Sequence, residues 1–439
     1  MKEMGIAVVL FAVSAVLFCP VHGKSSDKQW NRHLKNIVTG KGLLSLGGSL
    51  RLRYEYFNNF TIKKYGISEQ DDVFFERLRI YAEFAFSKNC RLYIRGQDSR
   101  FWMSSLSIDD FSPACPYENP ADLNQAFFEA VDILGSGVGV KIGRQSVKYG
   151  DGRIWGPGNW SNSGKYVWDG AKVFYENKAV RLDSLYARRL IADPNTFDND
   201  HHDFHAAGLY CSLKKFPVKT DFFYALKRDA VNMVAGETGT GSRSVHTIGT
   251  RMKGKTAGKR LTLSGTAAGQ TGKRGEDTIR AFAVTFRSEY SLRTFLDPSL
   301  CCGYTFASGD RDSTDGTHET FDGVFGAAAR YYGRMNLFFW KNLHNIQCGC
   351  SIHPLKKMKV TAAFHHFMLA SKYDAWYHCT GKPLGRDKNG DSGQTLGQEI
   401  DLLVHLDAAH GVRLSGGYGH FFAGEFAENT GNGKDADWF

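Results

Sequence analysis

Proline is scarce, at 10 of 439 residues, and beyond residue 23 the chain has no apolar run approaching the length of a membrane-crossing helix. A helical-bundle membrane protein is thereby excluded. Cysteine, with nine residues, is too thin for a small disulfide-stapled scaffold. No Gly-x-Ser-x-Gly nucleophile pattern occurs, and Gly135-Ser136-Gly137-Val138-Gly139 precedes an extended segment where a dinucleotide fingerprint needs a helix. Disorder is excluded by what is present: 42% hydrophobic and 13% aromatic positions, with 48 glycines. The mean hydropathy of −0.34 has the look of a soluble protein. An excess of Lys and Arg, 55 against 45 Asp and Glu, leaves a net charge of +10 that favours a polyanionic partner.

The first residues set the compartment. Lys2 precedes an uninterrupted small and apolar run from Gly5 to Cys19, followed by Pro20, Val21-His22-Gly23 and the polar Lys24-Ser25-Ser26-Asp27. This pattern reads as a secretory signal over residues 1–23, cleaved after Gly23. A membrane anchor would need roughly 20 apolar residues. A lipoprotein site at Cys19 would need a small residue where Phe18 stands. Residues 24–43 then form a periplasmic N-terminal segment and residues 44–439 a single outer-membrane domain. With no later helix to span, a membrane form of this protein must be a closed β-barrel, the other fold that satisfies every backbone group in lipid.

Alternation supports that fold. In residues 49–57, Leu50, Leu52, Tyr54 and Tyr56 share one face and Arg51, Arg53 and Glu55 the other. Leu78, Ile80, Ala82, Phe84 and Phe86 oppose Arg77, Arg79, Tyr81 and Glu83, and Leu92 and Ile94 oppose Arg91, Tyr93 and Arg95. The pattern returns around Lys141, around Lys359 and His365, and with Ile400, Leu402 and Val404 against Glu399, Asp401 and His405. A soluble sandwich also alternates, so connection lengths decide. Short links near residues 87–89, 134–137, 176–178, 214–217, 255–259, 293–298, 354–357 and 408–410 interleave with long polar ones at 58–71, 99–120, 150–166, 191–202, 231–242, 270–277, 310–342 and 371–395. Tight periplasmic turns and long outer loops produce that rhythm. The expected fold is therefore an all-β, transmembrane antiparallel barrel of the 18-strand type. About 17 strands are visible, and residues 423–439 read as an outer loop. The closing strand is expected to be missing, with the last visible strand closing against residues 50–56.

Several segments resemble the alginate-export family of outer-membrane barrels. They include Asp122-Leu123-Asn124-Gln125-Ala126-Phe127, Val140-Lys141-Ile142-Gly143-Arg144-Gln145, Tyr149-Gly150-Asp151-Gly152-Arg153 and Trp168-Asp169-Gly170-Ala171. Downstream, Ala307-Ser308-Gly309-Asp310, Asp374-Ala375-Trp376-Tyr377, Leu396-Gly397-Gln398-Glu399 and Asp435-Ala436-Asp437-Trp438-Phe439 match as well. The resemblance implies an 18-stranded channel that exports an anionic, alginate-like uronate polysaccharide through an arginine-lined pore, with no chemistry of its own. Its partners would be that polymer, outer-membrane lipid, the barrel-assembly machinery and periplasmic polysaccharide export components, and no nucleic acid.

The residues themselves give that pore a location. Arg51, Arg53, Arg77, Arg79, Arg91, Arg95 and Lys141 lie on the charged faces of the first five strands, with Arg144 at a bulge and Arg153 in the next loop. An arginine facing lipid at the midplane costs about 2 to 4 kcal/mol, so these side chains are expected to line the lumen. Guanidinium forks suit carboxylates, while Glu55, Glu83 and Glu129 would keep any one site from holding a polymer too tightly. The competing reading is that lumen Arg and Glu pair only to fill the barrel. A general anion-preferring porin and an outer-membrane barrel enzyme remain as alternatives. The enzyme would need a Ser/His or Tyr/His pair converging on the lumen, and the spacing shows none.

Other constellations are weaker. His201-His202-Asp203-Phe204-His205 has zinc-like ligand types but reads as solvated polar surface. Asp310, Asp312 and Asp315 with Gly316, and Asp387, Asn389 and Asp391 with Gly390, resemble calcium loops whose Gly is out of register. No cofactor is expected beyond such an outer-loop calcium. Cys348 and Cys350 share a face with Ile346 and Ile352 and read as small lipid-facing hydrophobes, while Cys115 and Cys379 in outer links are placed to form a staple.

Overall fold

The structure is a computed structural model and describes residues 14–18, 34–40, 42–111, 115–158, 160–198, 200–328, 331–431 and 433–439. The chain is a closed antiparallel barrel of 18 strands. In order they are β1 (Gly42–Phe60), β2 (Tyr65–Ser87), β3 (Cys90–Trp102), β4 (Asn119–Ala130), β5 (Val138–Gln145) and β6 (Trp168–Glu176). Next come β7 (Val180–Leu190), β8 (Asp200–Leu213), β9 (Lys219–Ala235), β10 (Thr240–Thr256), β11 (Leu261–Arg274) and β12 (Asp277–Ser291). The wall ends with β13 (Ser299–Ala307), β14 (Leu343–Leu355), β15 (Met358–Met368), β16 (Thr395–Ala409), β17 (Val412–Ala423) and β18 (Ala436–Trp438). Each strand pairs with the next in sequence, the arrangement that short hairpin links dictate.

The two faces separate as the alternation requires. On β1, Arg51, Arg53, Glu55 and Phe57 are buried inside while Leu50, Leu52, Tyr54 and Tyr56 lie on the other face. Ile80, Ile94, Ile142, Val173, Ile248, Phe282, Phe286, Ile346 and Ile400 are exposed around the outer wall, an apolar band suited to lipid. The mean hydropathy conceals this band because every second residue belongs to the lumen.

Three outer links differ from the sequence expectation. Residues 58–71, 231–242 and 270–277 are not long loops. The strands run on to tight turns at 61–64, 236–239 and 275–276. Above the bilayer the outward face meets water, so the hydrogen-bonded ladder continues where the apolar alternation stops, and polarity alone does not mark the strand's end.

The seam also differs. Residues 425–430 form a short helix, Glu425–Thr430, and Ala436–Trp438 is a strand between β17 and β1, pairing Trp438 with Gly419 and with Phe57. Phe439 adds two backbone hydrogen bonds to Tyr56, at 3.0 and 3.1 Å. The segment read as an outer loop therefore supplies the closing position, and β17 does not pair directly with β1. The signal reading of residues 1–23 lies mostly outside the described residues. Of it, Ser14–Phe18 is a strand paired with Val412–Ser415 on one side and Ser49–Leu52 on the other, below β18.

The cysteine chemistry is not where the sequence pointed. Cys115 and Cys379 are separate free thiols. Cys302 of β13 is directly opposite Cys348 of β14, both exposed on the outer wall, with sulfurs 3.4 Å apart. Mild thiol oxidation of the folded barrel should link these two and no other pair. A crosslinked peptide lacking two hydrogens, absent in Cys348→Ser, is the expected mass-spectrometric result. Both peptides remaining unlinked would show the strands hold the sulfurs apart.

Candidate functional site: the constricted lumen

Two long outer connections fold into the barrel. The β5–β6 connection and the β13–β14 connection, residues 308–342, dock on each other inside it. Gly156 N donates to Phe325 O at 3.0 Å, Phe325 N to Ile154 O at 3.1 Å and Ala327 N to Gly152 O at 3.0 Å. Gly326 is required at this crossing, since a Cβ there would sit 1.9 Å from Arg153 O. Trp155 packs on Phe325 with ring centroids 4.5 Å apart, and Phe321, Phe338 and Trp340 of the same connection are fully buried. Burying an aromatic of Phe size contributes about 1.5 to 3 kcal/mol, so the inward position is a packed state.

The β5–β6 connection meets the arginines of the first strands with neutral oxygens. Arg51 Nη2 donates to Asn162 Oδ1 at 3.1 Å and Ser161 O at 3.3 Å, Arg77 Nη1 to Ser161 O at 3.3 Å, and Arg53 Nη1 to Trp160 O at 2.7 Å. Arg53 also lies over the Trp160 and Phe75 rings and 3.5 Å from Glu55. Arg79 Nε donates to Gln97 Oε1 at 2.6 Å, and Gln97 in turn donates to Ser163 O at 2.8 Å. Arg95 donates to Asn124 Oδ1 at 2.9 Å. Of these arginines, Arg53 lines a cavity of about 370 Å³, together with Glu55, Lys148, Trp160, Lys165 and Arg334.

The remaining sequence-derived positions have other surroundings. Arg91 sits between Glu83 at 2.6 Å and Glu129 at 2.5 Å, the charge-paired arrangement of the filling reading. Lys141 Nζ lies 3.6 Å from the centre of the Phe127 ring. Arg144 is tied to Asp169 at 3.1 Å, to Leu123 O and to Asp198 O, bracing the β7–β8 connection. Arg153 is buried between the docked loops, over Tyr331 and hydrogen-bonded to Tyr332 Oη at 3.1 Å.

A second basic wall was not singled out in the sequence. Arg251, Lys253, Arg287, Arg334, Lys359 and His365 border a cavity of about 510 Å³ on the far side of the docked loops. Only Asp151, Glu289 and Asp401 bring acid to it. The available signal was the inward parity of Arg251 and Lys253 on β10 and of Arg287 on β12, where Ile248, Met252, Phe282 and Phe286 mark the lipid face. A Walker-type pattern, Gly249 to Thr256 (GTRMKGKT), crosses the same place. It lies within β10, whose backbone N–H groups face β9 and β11, so it cradles no phosphate.

Residues 308–342 are latched to the wall by charge. Asp322 Oδ2 accepts from Lys227 Nζ at 2.8 Å, with Arg243 4.0 Å away, and Gln270 brackets the Asp322 backbone at 2.6 and 2.8 Å. Burial pushes the Asp322 carboxyl up, but Lys227, Lys341 and Arg243 outweigh it and hold it well below the usual range. On the opposite wall Glu399 Oε1 accepts from Arg334 N and Met335 N.

Asp312 and Asp315 accept from backbone N–H groups two residues on, as do Asp310 and Asp387. His201, His202 and Asp203 lie outside the residues whose side chains are described, and His205 Nδ1 is paired with Tyr186 Oη at 2.8 Å.

Comparison with known proteins places this architecture. Three Pseudomonas aeruginosa crystal structures share the fold: OccK9 (OpdG), at TM-score 0.60 and 11% identity over 90% of this chain and 95% of that one; OpdK with vanillate, at 0.56 and 11% over 90% and 96%; and OccK11 (OpdR), at 0.55 and 14% over 90% and 93%. No curated protein matches the chain. The alginate export family model matches residues 43–437, from the start of β1 to the middle of β18. An outer-membrane-type barrel with that match over nearly its whole length belongs to the alginate export family.

Proposed function

We propose that this protein is an outer-membrane channel that passes an anionic, uronate-type polysaccharide outward through an arginine-lined lumen, without catalysis. The observation that carries the reading is the cationic cluster of Arg51, Arg53, Arg77, Arg79 and Arg95 on the first three strands, with Arg53 lining an internal cavity. A polymer with one carboxylate per sugar meets successive guanidinium groups, and the second wall of Arg251, Lys253, Arg287 and Lys359 continues the attraction. Glu55 beside Arg53 and the Glu83–Arg91–Glu129 triad interrupt it, so that no site holds the chain too long. The inward β13–β14 connection favours this reading over an open anion-preferring porin, because a narrowed lumen discriminates by shape as well as by charge. Assembly by the outer-membrane barrel machinery and docking to periplasmic export components belong to the same proposal.

Planar-bilayer recording tests it. Arg77→Ala with Arg79→Ala should lower the anion-to-cation permeability ratio and weaken block by a uronate oligomer, and Arg287→Ala with Lys359→Ala should do the same from the other wall. Unchanged selectivity and block in both double variants would leave these side chains a structural role only.

A further inference from the structure

Three ligand-type side chains from two separate connections meet at the outer end of β9 to β12. Glu237 sits in the tight turn between β9 and β10, and Asp310 and His318 lie in the inward connection 308–342. One donor atom from each, a carboxylate oxygen or an imidazole nitrogen, lies within 4.8 Å of the other two. Among the described residues this is the one such grouping of three.

Each side chain is placed by its own backbone. Asp277 accepts from Glu237 N at 2.6 Å and Thr238 N at 3.0 Å, fixing the turn. Glu237 Oε2 accepts from Gly316 N at 3.0 Å. His318 is set by the short parallel pairing of Thr317–His318 with Thr278–Ile279 of β12. Asp310 N donates to Asp374 Oδ2 at 3.1 Å, and Asp310 is 3% exposed, with Oδ2 3.5 Å from His318 Nδ1. Glu237 Oε1 is buried with no hydrogen-bond donor facing it.

This arrangement is unbalanced as it stands. Two carboxylates in contact cannot both be charged without a cation or a shared proton. Arg274 and Lys341 are the cations beside His318. Asp277, Glu319 and Asp374 are the other acids facing the cluster.

We infer that Glu237, Asp310 and His318 form a binding site for a divalent transition cation of the zinc class, which pins the lumen-filling connection 308–342 to the β9–β10 turn. The donor set selects the class. An imidazole with two carboxylates suits zinc, with one position left for water, whereas calcium takes six to eight oxygens. The ion gives Glu237 Oε1 its missing partner.

The test is calorimetric titration of the full chain, refolded in detergent, with Zn²⁺ and separately with Ca²⁺. One equivalent of Zn²⁺ should bind the unaltered protein, and His318→Ala and Glu237→Gln should each weaken it more than about tenfold. Heat-modified gel mobility verifies that both variants fold. Zn²⁺ should also slow proteolysis within 308–342 in the unaltered protein and not in His318→Ala. Equal Zn²⁺ binding in His318→Ala would assign the ion to other histidines and overturn the site. Absence of Zn²⁺ binding, or displacement by equimolar Ca²⁺, would overturn it too. None of these readouts depends on what the channel transports.

Discussion

Asn162→Ala is expected to raise single-channel conductance several-fold and to make the β5–β6 connection cleavable by added protease. Asn162 is fully buried and joins four parts of the wall. Its Oδ1 accepts from Arg51, and its Nδ2 lies 2.8 to 2.9 Å from the carbonyl oxygens of Glu76 on β2, Arg100 on β3 and Tyr117 in the β3–β4 connection. An amide has two hydrogens for these three acceptors, so the group is used to capacity. Removing it strips about 1 kcal/mol per hydrogen bond and leaves buried acceptors unpaired at about 1 to 3 kcal/mol each. A total of about 3 kcal/mol changes the ratio of docked to released loop by on the order of a hundredfold. Asn162→Asp separates the two roles, since the carboxylate keeps Arg51 but donates nothing to the three carbonyls. It should therefore release the loop nearly as well. Wild-type conductance in both variants would mean that Trp155 and its aromatic neighbours hold the loop alone.

The wall of the barrel was legible in the sequence because its physics is local. Arg51 and Leu52 face opposite ways whatever the rest of the chain does, so parity alone assigns the lumen and lipid faces from β1 to β16. The inner turns were legible for the same reason, being short breaks in an otherwise continuous pattern. What fills the lumen was not. Phe321, Phe325, Phe338 and Trp340 are buried in a segment that reads as a long polar link, and nothing in their spacing says that Phe325 packs on Trp155, far earlier in the chain, or Phe338 on Phe367 and Phe421, further along it. Loop insertion is decided by long-range contacts that no periodicity records. The three outer links mistaken for long loops have a different cause, the loss of apolar alternation where the ladder continues beyond the bilayer. The second basic wall, by contrast, was legible. Arg251, Lys253 and Arg287 obey the same parity as Arg51 and Arg77.

Asp322→Asn should release the β13–β14 connection, with a larger effect than loss of any arginine in the lumen. The Asp322 carboxylate is the anion that Lys227, Arg243 and Lys341 share. Neutralising it leaves the buried Lys227 uncompensated, while Arg243 keeps Asp229 at 3.3 Å; breaking one partner of a buried pair typically costs about 3 to 5 kcal/mol, or a shift of a hundredfold or more in the docked population. The expected signature is rapid, large-amplitude current fluctuation, with protease cleavage inside 308–342. The pH dependence has a definite sign. Asp322 titrates well below its unfolded value, so its contribution is fully present above the ordinary carboxylate range and is lost only as pH falls through the depressed folded value. The unaltered channel should therefore stay quiet at pH 5, whereas Asp322→Asn fluctuates at pH 5 and pH 8 alike. Adding Lys227→Met to Asp322→Leu removes a cation together with its partner and should recover part of the lost docking. No recovery in that pair would show that the hydrogen bonds from Gln270 to the Asp322 backbone, and not the ion pair, carry the latch.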